Sequence, residues 1–142
     1  MIALVDYGAG NLTSVRKALA AVGADVYTPS DPADLHGAAG VIVPGVGHFD
    51  ATQTLDRAWR HAILERLDAG SPLLGICVGL QWLFGGSTEA PDVPGFGVCQ
   101  GTCERLPDVA PATGARQKVP HVGWNTLALP RWSRLFAGIA DG

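Results

Sequence analysis

The sequence predicts an α/β fold, a doubly wound and mostly parallel sheet with helices on both faces. Short apolar runs alternate along the chain with helical patterns, and glycine-rich turns follow the runs. Strands separated by helices need crossover connections, which are right-handed and build a mainly parallel sheet. With 142 residues, of which 47% are hydrophobic and 16% charged, the chain is expected to form a single domain over residues 1–142.

Four strands are predicted in the first half of the chain. They are "IALVD" at the start, "ADVYT", "GVIVPGVG", which runs into a glycine-rich loop, and "SPLLGIC". The stretch "SDPADL" before the third strand is a turn or a short helix. After Gly85, "GFGVCQGTCERLP" contains two strand-like runs about a turn and no crossover helix. This part is therefore expected to add antiparallel strands.

Three helices are predicted between and after these strands. Asn11 caps the first, "LTSVRKALAAVG", and Gly23 stops it. The second runs from Gln53 to Ala69 and ends at Gly70, and the third begins with "VGLQWLF". The second helix has an apolar stripe, formed by Leu55, Trp59, Ile63 and Leu67 with Ala58 and Ala62 beside it, and Asp56, Arg57, Arg60 and Arg66 lie outside the stripe.

Composition excludes several classes of function. The net charge is −3 and the ten Lys and Arg residues are scattered singly, which argues against nucleic acid and membrane surfaces as partners. The N-terminus lacks a basic start and a long apolar region, so a cytoplasmic protein is expected. An odd number of cysteines argues against a disulfide framework. The pair Cys99 and Cys103 lacks the further ligands of a zinc site, so neither a metal nor a cofactor is expected.

One cysteine has the surroundings of a nucleophile. Cys77 stands in "GICVGLQ", a G-x-C-x-G turn from a strand into a helix, where serine stands in a nucleophile elbow. The helix start favours a thiolate. The glycine-rich "PGVG" follows the neighbouring strand, and its N–H groups with that of Val78 could hold the oxyanion of a tetrahedral intermediate. The alternative is a small buried residue at a strand end.

Several segments carry a resemblance to a known family. "PGVGHFD", "GICVGLQWLFGGSTE" and "KVPHVGWN", with "DYGAGN" near the start, resemble the glutamine amidotransferase subunits of imidazole glycerol phosphate synthase. These are class I, triad-type amidotransferases of histidine biosynthesis. The resemblance runs in order from Met1 to Gly142. It implies a flavodoxin-like domain whose C-terminal strands and helix lie beyond "SRLFAGIADG", so that residues 1–142 are an incomplete domain of a longer gene product.

By position, the resemblance implies roles for individual residues. Cys77 is the nucleophile that attacks the glutamine side-chain amide, and the backbone N–H groups of Val46 and Val78 form the oxyanion hole. The glutamine pocket is lined by Gly45, Gly47, Gln81 and Glu89, and the carboxylate of Glu89 suits the ammonium group of the substrate. Ammonia passes to a cyclase subunit, a (β/α)₈ barrel in a heterodimer, which makes imidazole glycerol phosphate and an aminoimidazole carboxamide ribotide. The residues that face this partner are Asn11, His121, Trp124 and Asn125.

The family's triad is completed by a histidine and a glutamate in an "H-P-E" stretch, which these 142 residues do not contain. Turnover by the 142 residues alone is therefore expected to be very slow, since a cysteine nucleophile needs a base. His48, directly after "PGVG", is the nearest substitute base in the sequence. Loss of residual glutaminase activity in His48→Ala would support that role.

Two other readings stay open at this level. The chain could be a non-catalytic module that docks on a cyclase barrel or binds glutamine without hydrolysing it. It could also be another class I amidotransferase or a cysteine hydrolase with a similar elbow, against which "KVPHVGWN" speaks. In "PHVGWN" itself, Trp124 could be a core residue and His121 an ordinary hydrogen-bonding residue.

Overall fold

The computed structural model describes residues 1–120, 122–126, 128 and 134–139, and the chain divides into two compact units, residues 1–105 and residues 106–142. The first unit contains a sheet of four strands, namely β1 (Ile2–Leu4), β2 (Val26–Tyr27), β3 (Gly40–Val43) and β4 (Leu73–Gly75). Their order is β2-β1-β3-β4 and every pairing is parallel. The predicted parallel α/β fold is confirmed.

The helices lie on both faces of this sheet. They are α1 (Leu12–Ala21), α2 (Arg57–Asp68) and α3 (Val78–Trp82), with 3₁₀ helices at Pro32–Leu35, Phe49–Thr54 and Arg134–Phe136. From β1 the chain moves to one side, to β2, and then crosses to β3 and β4 on the other side. Right-handed crossovers therefore place α1 on one face and α2 on the opposite face. Consistent with this, α2 packs against the 3₁₀ helix in the β2–β3 connection.

The ends of α1 are those predicted from the sequence. The Asn11 side chain accepts a hydrogen bond from the Ser14 N–H at 3.1 Å, which satisfies one of the free donors of the first turn. Gly23 has a φ of +70°, a conformation that glycine adopts without steric cost. The predicted cap and stop of this helix are confirmed.

The second helix begins at Arg57 rather than at Gln53 as predicted. The carboxylate of Asp56 caps it by accepting hydrogen bonds from Ala58 and Trp59 N–H, at 2.9 and 3.1 Å. Leu55 is buried although it precedes the helix. Because it fits the apolar spacing of the helix, the predicted start lay too early in the sequence. Gly70, with a φ of +82°, lies after the end of the helix as predicted.

The antiparallel strands predicted after Gly85 are absent from the described residues, where only isolated bridges pair Gly86 with Pro94 and Ser87 with Cys103, and in the second unit Val109 with Arg116. The side chain of Arg60 binds the backbone of this segment instead of a neighbouring strand. Arg60 donates hydrogen bonds to the carbonyls of Pro94 and Gly95 at 2.7 and 2.6 Å. Its guanidinium lies 5.3 Å from the centre of the Trp82 ring, which stacks on Phe96. Arg60 is outside the apolar stripe as predicted, but it is half-buried and structural.

The sheet has an edge strand with an exposed apolar residue. Among the described residues β4 is an edge strand, and its Leu74 remains 45% exposed.

None of the helices in the described part of the chain combines the length and the apolar character that crossing a membrane requires.

Candidate active site

Three loops meet at the carboxyl edge of the sheet. Residues 6–11 follow β1, residues 44–48 follow β3, and residues 76–77 follow β4. Because β3 pairs with both β1 and β4, these loops are neighbours. The direction in which successive strands are added to the sheet also reverses between β1 and β3, since β2 lies outside β1 and β4 lies outside β3. Open α/β sheets bind ligands in the crevice at such a switch point.

Cys77 occupies a strained turn between β4 and α3. Its φ of 54° and ψ of −113° make it the one non-glycine residue with positive φ among the described residues. Such a conformation costs on the order of 1–3 kcal/mol and persists only where the surrounding structure imposes it. The residue is exposed to solvent. Cys77 is therefore presented at the carboxyl edge of the sheet rather than buried, as the elbow pattern predicted.

The two glycines of the G-x-C-x-G pattern allow this turn. A Cβ atom at Gly75 would lie 2.6 Å from the carbonyl oxygen of Gly79, and a Cβ at Gly79 would overlap the carbonyl oxygen of Val43. The Ile76 N–H also donates a hydrogen bond to that Val43 oxygen at 3.0 Å. Any larger residue at either position would push α3 away from β3 and β4, so the close approach predicted from the pattern is confirmed.

Residues 45–47, which the sequence predicts to hold the oxyanion and which we call the oxyanion loop for that reason, pack directly on the elbow. A Cβ at Gly45 would lie 2.6 Å from the Gly79 nitrogen and 2.7 Å from the Val78 Cβ. Gly47 has a φ of +92°. Within the described part of the chain, neither the Val46 N–H nor the Val78 N–H donates a hydrogen bond. Both backbone donors that the sequence singled out are therefore free to bind an oxygen.

The structure brings Glu89 to this loop from a distant part of the chain. Its Oε2 atom accepts a hydrogen bond at 2.9 Å from the N–H of Phe49, two residues after Gly47. The other oxygen remains accessible, since the side chain is 43% exposed. Gln81 lies one turn after Cys77 and its N–H donates to the Cys77 carbonyl at 3.0 Å. Of the predicted pocket residues, Gln81 thus lies in α3, whereas Gly45 and Gly47 lie on the loop after β3 to which Glu89 is bonded.

His48 is drawn towards two carboxylates. Its Nδ1 atom lies 2.9 Å from Oδ1 of Asp50, and its Nε2 atom lies 4.0 Å from Oε1 of Glu89. The hydrogen bond to Asp50, reinforced by the charge of Glu89, raises the pKa of His48. The protonated form is thereby favoured, which works against a base at neutral pH. Its role as a substitute base stays a hypothesis.

Tyr7 was missed by sequence reasoning. It follows β1 in "DYGAGN", is 9% exposed, and its hydroxyl has no hydrogen-bond partner among the described residues. Burial, and secondarily negative charge on Cys77, raise the pKa of Tyr7 to about 12. An aromatic residue with a polar tip, placed directly after a buried strand that ends at the switch point, is the sequence signal that could have drawn attention to it.

The residues predicted to face a partner are described only in part. Asn11 is exposed and caps α1. In the second unit Trp124 is fully exposed, and the Asn125 side chain accepts a hydrogen bond from Thr126 N–H at 3.0 Å. His121 lies outside the described residues.

Two cavities of the described residues lie away from Cys77. A cavity of about 560 Å³ lies between the 3₁₀ helix Pro32–Leu35 and α2, and one of about 580 Å³ is lined by residues between Gly85 and Thr102. Neither of these two cavities is lined by Cys77. The described residues contain no group of His, Cys, Asp and Glu side chains arranged to hold a metal ion.

Comparison with known families gives one match that spans nearly the whole chain. The family model for class-I glutamine amidotransferases matches residues 3–141. A solved crystal structure of a glutamine amidotransferase superposes with a TM-score of 0.63 over 74% of this chain and 57% of that chain, at 24% identity. At that identity the likeness shows the fold alone.

Curated relatives are similar over the full chain. The imidazole glycerol phosphate synthase subunit HisH of Thermococcus kodakarensis is 44% identical over 100% of this chain and 66% of its own length. The HisH subunit of Geobacillus kaustophilus is 43% identical over 100% of this chain and 68% of its own length. The chain thus spans about two thirds of the length of these relatives.

Proposed function

We propose that this chain, which belongs to the class-I glutamine amidotransferase family and within it to the HisH subunits of imidazole glycerol phosphate synthase, uses Cys77 to release ammonia from glutamine. The observation that carries the proposal is the strained, exposed Cys77 turn beside two free backbone donors. A nucleophile next to preorganised N–H groups is the arrangement that acyl transfer requires.

The chemistry follows from these positions. The sulfur attacks the carbonyl carbon of the side-chain amide, and the negative charge on the oxygen is received by the Val46 and Val78 N–H groups. Collapse of the adduct breaks the carbon–nitrogen bond, and the nitrogen leaves as ammonia with the proton from the thiol. Water then hydrolyses the thioester to glutamate. Transfer of the proton needs a base, and the family's "H-P-E" stretch is not among these residues, so the 142 residues alone turn over slowly.

Substrate recognition depends on Glu89 in this proposal. One carboxylate oxygen accepts a hydrogen bond from the Phe49 N–H, and the other, which lies 4.0 Å from Nε2 of His48, is the oxygen that we assign to the ammonium group of glutamine. Gln81 provides an amide near the nucleophile, and Gly45 and Gly47 leave room for the substrate because they carry no side chain. Because this recognition is charge-assisted, it should respond strongly to loss of the carboxylate.

Glu89→Gln should weaken the protection of Cys77 by glutamine. In the unsubstituted chain we expect L-glutamine to slow alkylation of Cys77 by iodoacetamide, followed by mass spectrometry. Loss of a charged partner weakens binding on the order of 10- to 100-fold, so the concentration of glutamine needed for protection should rise by that factor.

Asp92→Asn is the matched control, because it removes an exposed carboxylate from the same connecting segment. It should leave the protective concentration unchanged. Equal protection of the Glu89→Gln variant and the unsubstituted chain would contradict the assignment of Glu89, and no protection in the unsubstituted chain would contradict glutamine binding.

The proposal extends to a partner. The relatives are named as subunits of a synthase, which supports a partner subunit for this chain. We assign that partner as a cyclase (β/α)₈ barrel that receives the ammonia in the cytoplasm and makes imidazole glycerol phosphate and aminoimidazole carboxamide ribotide. Asn11, His121, Trp124 and Asn125 are the proposed contacts. Full exposure of Trp124 supports its role as a contact. Exposing a large apolar side chain to water is unfavourable, and tryptophan is common in binding hot spots.

Trp124→Ala should weaken binding of a cyclase barrel subunit by about tenfold or more, measured by titration calorimetry. Val22→Ala is the control, because Val22 is also largely exposed but lies after α1, away from the proposed contacts in the sequence. Equal affinities of the two variants would contradict the role of Trp124 at the interface.

A further inference from the structure

The hydroxyl of Tyr7 is one of three buried side-chain polar atoms that have no hydrogen-bond partner among the described residues; the others are Nε of Arg66 and Nε1 of Trp82. A buried polar group without a partner destabilises the folded state, whereas phenylalanine would fill the same volume at no such cost. An unsatisfied hydroxyl of this kind calls for a function that compensates for its effect on stability.

The hydroxyl lies where the oxyanion loop meets the elbow. A Cβ atom at Gly45 would lie 2.5 Å from the Tyr7 hydroxyl oxygen, and the same position faces the Val78 Cβ and the Gly79 nitrogen. The backbone of Tyr7 is fixed as well, because its carbonyl accepts a hydrogen bond from the Thr54 hydroxyl at 3.0 Å. Tyr7 is therefore anchored between β1 and the helix that follows the oxyanion loop.

The phenol of Tyr7 stays neutral and can therefore donate a hydrogen bond. Burial, together with negative charge on Cys77, raises the pKa of Tyr7 to about 12, so the phenol stays protonated over the range in which thiols titrate. A neutral hydroxyl can rotate its hydrogen towards a nearby negative charge. In a buried setting, where the effective dielectric constant is low, such a dipole interacts more strongly than it would in water.

We propose that Tyr7 is a positioning residue for the nucleophile: its unpartnered hydroxyl, held at the contact between Gly45 and Val78, favours negative charge on the Cys77 sulfur and on the adduct that forms there. The inference rests on the proposed function, because it takes Cys77 to be the nucleophile. It adds to that function a side-chain group that acts through the elbow and the oxyanion loop rather than by touching the substrate.

Tyr7→Phe tests this role. The rate of Cys77 alkylation by iodoacetamide, measured across pH by mass spectrometry, should keep its plateau at high pH, while its midpoint moves up by about one pH unit. At pH 7 the rate should fall about tenfold as a consequence. The free energy of unfolding should be unchanged or higher, because the variant no longer buries an unsatisfied hydroxyl.

Tyr27→Phe is the matched control. The Tyr27 hydroxyl donates to the Asp34 carbonyl at 2.6 Å, so its loss should lower stability and leave the alkylation profile unchanged. An unmoved profile in Tyr7→Phe would overturn the inference. A shift that comes with a loss of stability greater than that of Tyr27→Phe would also overturn it, since ring packing would then be the cause.

The same experiment separates this inference from the proposed function. If Cys77 in the unsubstituted chain alkylates with the pH profile of a free model thiol and glutamine gives no protection, the proposed function fails and the Tyr7 inference fails with it. If glutamine protects Cys77 while Tyr7→Phe behaves as the unsubstituted chain does, only the role of Tyr7 is overturned.

Discussion

Diazo-oxo-norleucine, a glutamine analogue with an electrophilic carbon, is expected to form one covalent adduct on this chain, at Cys77. The diazo carbon takes up the thiol proton, and attack by the sulfur on that carbon displaces dinitrogen and leaves a stable carbon–sulfur bond, so no proton has to be delivered to departing ammonia. The adduct should form in the 142-residue chain even though hydrolysis of glutamine is slow. Cys77→Ala should lose the adduct completely, as judged by intact mass and peptide mapping.

The other two cysteines provide the control. Cys99 and Cys103 are half-buried, and burial raises the pKa of the Cys103 thiol, which makes its thiolate scarcer. A Cys99→Ser and Cys103→Ser double variant should therefore label as fast as the unsubstituted chain. Labelling of Cys77 no faster than that of a free model thiol would favour a binding module over an activated nucleophile.

Gly79→Ala is expected to have the largest effect on stability of any single methyl addition at the site. The new Cβ would overlap the Val43 carbonyl oxygen and lie close to the Pro44 oxygen, and both atoms are backbone. Backbone cannot rotate away as a flexible side chain could, so α3 and β3 must separate. We expect a loss of about 3 kcal/mol or more in the free energy of unfolding, measured with urea.

Gly86→Ala is the corresponding control for Gly79→Ala. A Cβ at Gly86 would meet its nearest atom, the Val93 carbonyl oxygen, at 3.6 Å, which is ordinary van der Waals contact. The Gly86 substitution should change stability little. If both alanine variants were equally stable, Gly79 would not be required for the close approach of the elbow to β3.

The elements that the sequence predicted well are those whose signals are local. Asn11 and Gly23 mark the ends of α1 through a side-chain cap and a positive φ, and both depend on residues within one turn. The parallel sheet followed from apolar runs separated by helices. The start of α2 was misplaced because Leu55, a buried residue between the preceding 3₁₀ helix and α2, continues the helical spacing of apolar residues without being part of α2.

The prediction of strands after Gly85 was wrong for a different reason. The alternating residues there are typical of strands, but Arg60 donates hydrogen bonds to the carbonyls of Pro94 and Gly95, and Phe96 stacks on Trp82. Those contacts join segments that lie far apart in the sequence, and no local pattern encodes them. The same holds for Glu89, whose bond to Phe49 spans 40 residues.

The sequence by itself determined the fold class, the family resemblance and the position of the candidate nucleophile, because glycine spacing around Cys77 specifies a tight strand-to-helix turn locally. Only the tertiary structure decided what surrounds that turn. It packed Gly45 against Val78 and Gly79 of the elbow, and it put the Tyr7 hydroxyl against Gly45. These arrangements depend on the pairing of β1, β3 and β4, since hydrogen bonds between distant strands bring together loops that the sequence keeps apart.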